Sequence, residues 1–166
     1  SSLGLIDNIV GMGGGGIYNK ELRQKWEAGQ IASIGYSFHR PPQPEVMLTL
    51  DPDVLLLHTK DHGRMEALEK MRQLGINAIP QFAWVEPSFL GKAEWIKFTA
   101  LFFNKEKEAS ELFEGIRKRC QELSQMVEKQ SPKAKAFMTY FPSSQSDWTA
   151  HRNDFYASFL EAAGAE

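Results

Sequence analysis

Four histidines, His39, His58, His62 and His151, have the widest chemical repertoire in this chain, and Glu86 is a carboxylate that could join them. If the loops bearing His39, His58 and Glu86 converged, they could hold zinc or share acid–base work. The spacing requires neither. His58 closes an apolar run and His62 follows it across a loop, so the two do not occupy successive turns of one helix. Hydrogen bonding at a surface or a pocket wall would use the same side chains. No Gly-x-Ser-x-Gly elbow is present, and Glu106 and Glu108 fall on a solvated helix face. The run from Gly13 to Gly16 lacks the Gly-Lys-Ser/Thr of a phosphate loop, and no clear amphipathic helix opens directly after it. It reads as a flexible connection with positive-φ positions. The residues therefore point to no catalytic group, no metal site and no cofactor.

Aromatic residues are more informative. Tyr36, Phe38, Trp84 and Trp148 each stand just after a predicted strand, where burial against a sheet is hardest to arrange. Large flat side chains on such loops suit a bulky, partly apolar ligand. Packing within the loops themselves accounts for them equally well, and spacing alone leaves both open.

The elements that must position these residues alternate. Short strands are predicted over 9–12 and 31–34, with a short helix over 19–26 between them. A helix over 45–50, with Pro44 in its first turn, stops at Asp51-Pro52. Residues 53–58 form a continuous apolar run, the mark of a parallel strand covered on both faces. A helix over 64–74 closed by Gly75 leads to a strand over 76–82, in which Pro80 suggests an end or an edge. Strand, helix, strand in this order is a βαβ unit with ligand-accessible loops at the carboxyl ends of its strands. An aromatic-rich helix over 89–103 should be heavily buried. Then comes the longest element, a helix over 104–130. Its apolar stripe runs through Ala109, Leu112, Phe113, Ile116, Cys120, Leu123 and Val127. Asn104 suits its N-cap, and Ser131-Pro132 stops it. A strand over 133–141, a loop to Thr149 and a helix over 152–163 capped by Gly164 follow. The long helix is a strut between two bodies.

Composition adds modest bounds. The 166 residues are 42% hydrophobic and 24% charged, as in an ordinary globular protein. A net charge of -2 gives no reason to expect nucleic acid or an anionic membrane as partner. The single cysteine, Cys120, excludes an internal disulfide and reads as a buried small hydrophobe. No apolar run approaches the twenty residues of a membrane span, and the N-terminus lacks a signal-peptide pattern, although a leader removed earlier would leave the same sequence.

Taken in order, several weak motifs together resemble one family: the substrate-binding proteins of bacterial ABC importers for ferric siderophores, haem and cobalamin. They are 7–11 (Asp-Asn-Ile-Val-Gly), 44–55 with its glutamate, apolar helix and Leu-Asp-Pro-Asp, 91–98, 103–106, and Ala162-Ala163-Gly164, where Ala165 replaces a second glycine. The resemblance implies an α/β, class III periplasmic-binding-protein-like fold: a Rossmann-like parallel-sheet lobe joined by one long helix to a second α/β lobe, with ligand held between. Residues 1–103 would form the first lobe without its opening strand, 104–131 the linking helix, and 132–166 the beginning of the second lobe. It also implies no enzymatic activity, slight closure because one stiff helix resists hinge motion, and a periplasmic or extracytoplasmic location, free or lipid-anchored.

By the same resemblance, ligand contact is expected at Tyr36, Phe38, His39, Arg40, Trp84, Glu86 and Trp148. Arg40 would pair with an anionic siderophore or a propionate, or only brace its loop. Glu45 matches the first-lobe glutamate that docks on permease arginines; the bland alternative is a helix-start carboxylate favoured by the dipole. Family members are considerably longer, so the sequence is expected to be a truncated piece, with exposed sheet edges that favour a homodimer formed by segment exchange. Beside the importer reading, a flavodoxin-like α/β enzyme domain using His58 or His39 and Glu86 stays open.

Overall fold

The computed structural model describes residues 2–13, 16–36, 40–58, 62–129, 133–136, 138–140, 149–150 and 154–165. The chain forms two compact units, Ser1–Trp84 and Val85–Glu166.

In the first unit, strands β1 (Gly11–Met12) and β2 (Ala32–Ser33) pair in parallel, Gly11 opposite Ala32 and Met12 opposite Ser33. Helix α1 (Lys20–Glu27) makes the crossover, and the Asn19 side chain caps it by accepting from the Leu22 N–H at 2.9 Å. Glycine at position 11 is required by packing. A Cβ there would lie 2.8 Å from Ile34 Cγ2 and 2.9 Å from Leu50 Cδ1. Helix α2 (Pro44–Leu50) carries proline at its start, as expected, and ends on Asp51, whose φ of 43° is the left-handed turn that aspartate tolerates.

Strands β3 (Leu55–His58) and β4 (Ala78–Gln81) pair in parallel around helix α3 (His62–Gln73), the βαβ unit that the pattern predicts. Gly75, at φ +84°, turns the chain out of α3. The Arg72 Nε donates to the Ala78 carbonyl at 2.9 Å, and the Asn77 amide donates to the Asp53 carbonyl at 3.1 Å, so the passage from α3 into β4 is tied to β4 and to the residues before β3. The core gathers Ile34, Met47, Leu55, Leu57, Leu68, Met71, Ile76 and Ala78. Leu55 and Leu57 face it, whereas Leu56 is only half-buried, so the second face of β3 is less covered than the apolar run implies.

The second unit begins with α4 (Phe89–Ala100), capped by the Ser88 hydroxyl, which accepts from the Gly91 N–H at 2.9 Å. A 3-10 turn, Leu101–Phe103, follows. Two corrections to the sequence reading arise here. Asn104 is not the cap of the long helix: its φ of 51° closes the preceding turn in the left-handed conformation that asparagine accepts readily. Also, the aromatic helix is half-buried rather than deeply buried, and Leu101 remains 56% exposed. Helix α5 (Glu106–Glu128) has 23 residues, roughly 35 Å at 1.5 Å per residue. Ala109 and Phe113 are the buried members of its stripe, while Cys120 is half-buried.

Of the strand expected over 133–141, only β5 (Thr139–Tyr140) forms among the described residues, and it pairs antiparallel with β6 (Thr149–Ala150), at the end of the stretch read as a loop. The intervening chain is short, which suits an antiparallel return; a parallel pair needs a longer crossover. Among the described residues β5 is paired with β6, and β3 with β4. Helix α6 (Phe155–Ala162) is capped by Asp154, which accepts from the Tyr156 and Ala157 N–H groups at 3.0 Å.

Helix α4 is the centre of the second unit. The Lys97 ammonium lies 4.1 Å from the centre of the Phe113 ring on α5, and the Lys92 ammonium 3.9 Å from that of Phe155 on α6. Phe89 meets Phe159 edge-to-face at 5.9 Å, and the Ser158 hydroxyl donates to the Pro87 carbonyl at 3.1 Å. The Ser124 hydroxyl on α5 donates to the Ala162 carbonyl at 3.2 Å, joining α5 to the end of α6.

Candidate functional site

In the first unit the parallel strands put their trailing loops at carboxyl ends, the edge where open α/β sheets bind ligands. Tyr36 stands three residues beyond β2. Its ring packs against the core, and its hydroxyl donates to the His58 carbonyl at 3.5 Å, tying the end of β2 to the end of β3. The backbone after β1 comes close as well: a Cβ on Gly13 would lie 2.9 Å from Tyr36 Cδ1 and from the Tyr36 carbonyl oxygen. Bare backbone is therefore needed at Gly13 for this approach.

Arg40 and His58 are exposed. Trp84 lies in a 3-10 turn, Ala83–Val85, shortly after β4 and is 57% exposed; Phe82 at 39% and Val85 at 58% flank it. Phe38, His39 and Trp148 lie outside the described residues. His39 is one of the three members of the imagined zinc or acid–base set; among the described residues no group of three metal-ligating side chains is found.

Glu86 belongs to the second unit, where it is half-buried beside the start of α4. Its Oε1 accepts from the Trp95 indole N–H at 3.0 Å, and its Oε2 lies where a Cβ on Gly91 would come within 2.8 Å. A carboxylate held by an indole and pressed on helical backbone has a fixed position. Sequence reasoning missed Trp95 as that partner, because a contact nine residues away depends on how the chain enters α4. Glu45 is exposed in the first turn of α2, and the Thr49 hydroxyl donates to its backbone carbonyl at 2.9 Å.

Tyr18 was missed too. It is 93% exposed, on the segment that follows β1. The rule that singled out the other aromatics, a large ring just beyond a strand, would have found it had the glycine run not been read as mere connection.

Comparison with known proteins places this geometry. Residues 2–166 match the family described as periplasmic binding protein. Over 103 residues the chain is 29% identical to an uncharacterized lipoprotein of Methanocaldococcus jannaschii, an alignment covering 62% of this chain and 24% of that protein. Among solved structures it is similar to a possible iron-binding (periplasmic solute-binding) protein from Staphylococcus epidermidis, with a TM-score of 0.76 and 19% identity over 99% of this chain and 60% of the other. It is similar also to the periplasmic heme-binding protein RhuT from Roseiflexus, with a TM-score of 0.75 and 19% identity over 99% and 59%. At that identity the structures speak for the fold. The chain thus spans about a quarter of the curated relative and about three-fifths of the solved ones. The matching family and the two solved structures are described as binding proteins, and no helix among the described residues is long and apolar enough to cross a membrane. With parallel α/β pairs, a 23-residue helix and a match over 2–166, the chain belongs to the periplasmic binding protein family and has the α/β fold of its class III members.

Proposed function

We propose that this protein is the substrate-binding component of an ABC importer, capturing an iron complex (a siderophore or haem) or cobalamin and delivering it to a membrane permease. The observation that carries the reading is family membership over residues 2–166. Supporting it, exposed Trp84 stands on a strand-end loop, and two structures of the same fold are named for iron and for haem.

In this reading ligand contact falls to Tyr36, Phe38, His39, Arg40, Trp84, Glu86 and Trp148, and Glu45 meets the permease. Residues 1–103 serve as the first lobe, 104–131 as the linking helix and 132–166 as part of the second. The site of action is extracytoplasmic, with lipid anchoring in keeping with the lipoprotein relative. Tryptophan emission of the full-length protein, titrated with haemin, a ferric siderophore and cyanocobalamin, tests this. A saturable change with one of them and no conversion of it is the expected result; no response to any of the three overturns the reading.

A further inference from the structure

We infer that α5 carries a flexure at Gly115, spanned by the Glu114–Arg117 ion pair as a releasable brace, so that the half of the helix joined to α6 swings against the half joined to α4. The inference goes beyond the capture reading and does not depend on it. Gly115 is the tenth of the 23 residues of α5 and its one glycine, and the helix contains no proline. Glycine weakens a helix interior relative to alanine, because its backbone has the most freedom to lose. Elsewhere in the chain glycine has a visible reason. At Gly11, Gly13 and Gly91 a Cβ would strike a neighbour at 2.8–2.9 Å, and Gly75 and Gly164 take a left-handed φ. Gly115 has neither reason. Its φ is not positive, and a Cβ there would meet no atom of the described residues within 4 Å. What the missing methyl leaves is backbone freedom.

The two sides of Gly115 hold different partners. Before it, Ala109 and Phe113 are buried, and the Phe113 ring carries the Lys97 ammonium of α4. After it, the Ser124 hydroxyl donates to the Ala162 carbonyl at 3.2 Å, and Val127 lies against Gly164 at the end of α6. A bend at Gly115 leaves both sets intact and moves α6 against α4. That seam is built to give. Phe89–Phe159 and Lys92–Phe155 are ring contacts of broad geometry. The Ser158 hydroxyl, 3.1 Å from the Pro87 carbonyl, also lies 2.9 Å from the Phe155 carbonyl, so it keeps an acceptor within α6 if Pro87 departs. Across the glycine itself, Arg117 Nε and Nη2 donate to Glu114 Oε2 at 2.8 and 2.6 Å, and Nη1 donates to Gln121 Oε1 at 3.4 Å. One guanidinium thus grips the chain before the glycine and a turn beyond it. The pair is partly exposed, so salt loosens it.

The test is amide hydrogen exchange of the full-length protein, read residue by residue by nuclear magnetic resonance. Amides 116–119, whose carbonyl partners are 112–115, should exchange faster than amides 110–113 and 120–124. Gly115→Ala should slow them by about fivefold. Arg117→Gln should quicken them more than Arg119→Gln, which breaks the comparable pair with Glu122, and in the Gly115→Ala background that difference should vanish. The swing itself is read from spin labels on Lys107→Cys and Glu161→Cys, with Cys120→Ser. Their distance distribution should be broad, broader still in concentrated sodium chloride, and narrowed by Gly115→Ala. Uniform protection along α5 overturns the inference, as do equal effects of the two arginine variants or a distance distribution that Gly115→Ala leaves unchanged.

Discussion

Two glycines that close helices make a matched pair for testing how α5 and α6 are joined. Gly75 ends α3 at φ +84° and Gly164 ends α6 at φ +87°, so an alanine at either meets the same backbone strain. That strain is about 1–2 kcal/mol for a residue with a Cβ in the left-handed region. At Gly75 nothing lies within 4 Å of the new methyl, so the strain is the whole effect. At Gly164 the methyl would stand 2.8 Å from Val127 Cβ and 3.0 Å from its Cγ2. Carbon atoms prefer about 3.5–4.0 Å. Both Cβ atoms are fixed to backbone, so no rotamer relieves the overlap and the helices must part. Overpacking of this kind adds about 1–3 kcal/mol. Gly164→Ala should therefore cost about 2–5 kcal/mol against about 1–2 for Gly75→Ala. Urea denaturation followed by far-ultraviolet circular dichroism and tryptophan emission measures both. Parting the helices also stretches the bond from Ser124 to the Ala162 carbonyl, so Ser124→Ala should cost less in the Gly164→Ala background than alone. Equal shifts for the two glycine variants, with no such coupling, would refute the packing of α6 on α5.

Three further expectations follow from named contacts, and a fourth from the paired edges. Trp95→Phe removes the donor to Glu86 and should lower the stability of the second unit by about 1–2 kcal/mol, read as a lower urea midpoint. The Lys25 hydrogen bond and charge hold the Asp7 carboxyl below its ordinary range, and Asp7 raises Lys25. The pair's contribution is thus present above the ordinary carboxylate pKa and lost as pH falls through the lowered value. At the other end it is lost as pH rises through the raised lysine value, and Asp7→Asn should flatten both limbs of midpoint against pH. Glu45→Gln should leave the denaturation midpoint unchanged, because its side chain is exposed, and, under the proposed docking role, should abolish uptake in cells carrying the cognate permease. Light scattering at high concentration should show a dimer if the edges of the β5–β6 pair recruit a second copy.

The sequence carried the elements whose signals are local. Pro44 at a helix start, Gly75 at a helix end and the apolar run ahead of His58 each state their conformation through one residue's backbone chemistry or a short pattern. Asn104 misled because asparagine suits both a helix cap and a left-handed turn, and the choice depends on the chain before it. The β5–β6 pairing was illegible because two-residue strands leave no period to read. At the site, Tyr36 and Trp84 were visible as aromatics after strands. Tyr18 was open to the same rule, whereas the Glu86–Trp95 bond needed coordinates, since it depends on where a side chain's neighbours are held rather than on its own type.

Helix α5 wears most of its charge outside, in pairs one turn apart such as Lys105–Glu108, Glu114–Arg117 and Arg119–Glu122. Mobile ions weaken exposed pairs of that sort, whose range in solution is about 8 Å at physiological salt. Its junction with α4 is of another kind, an ammonium seated on the Phe113 ring, and α4 meets α6 through the same device at Phe155. Brine should consequently strip cohesion from the rod's exterior while sparing its seams.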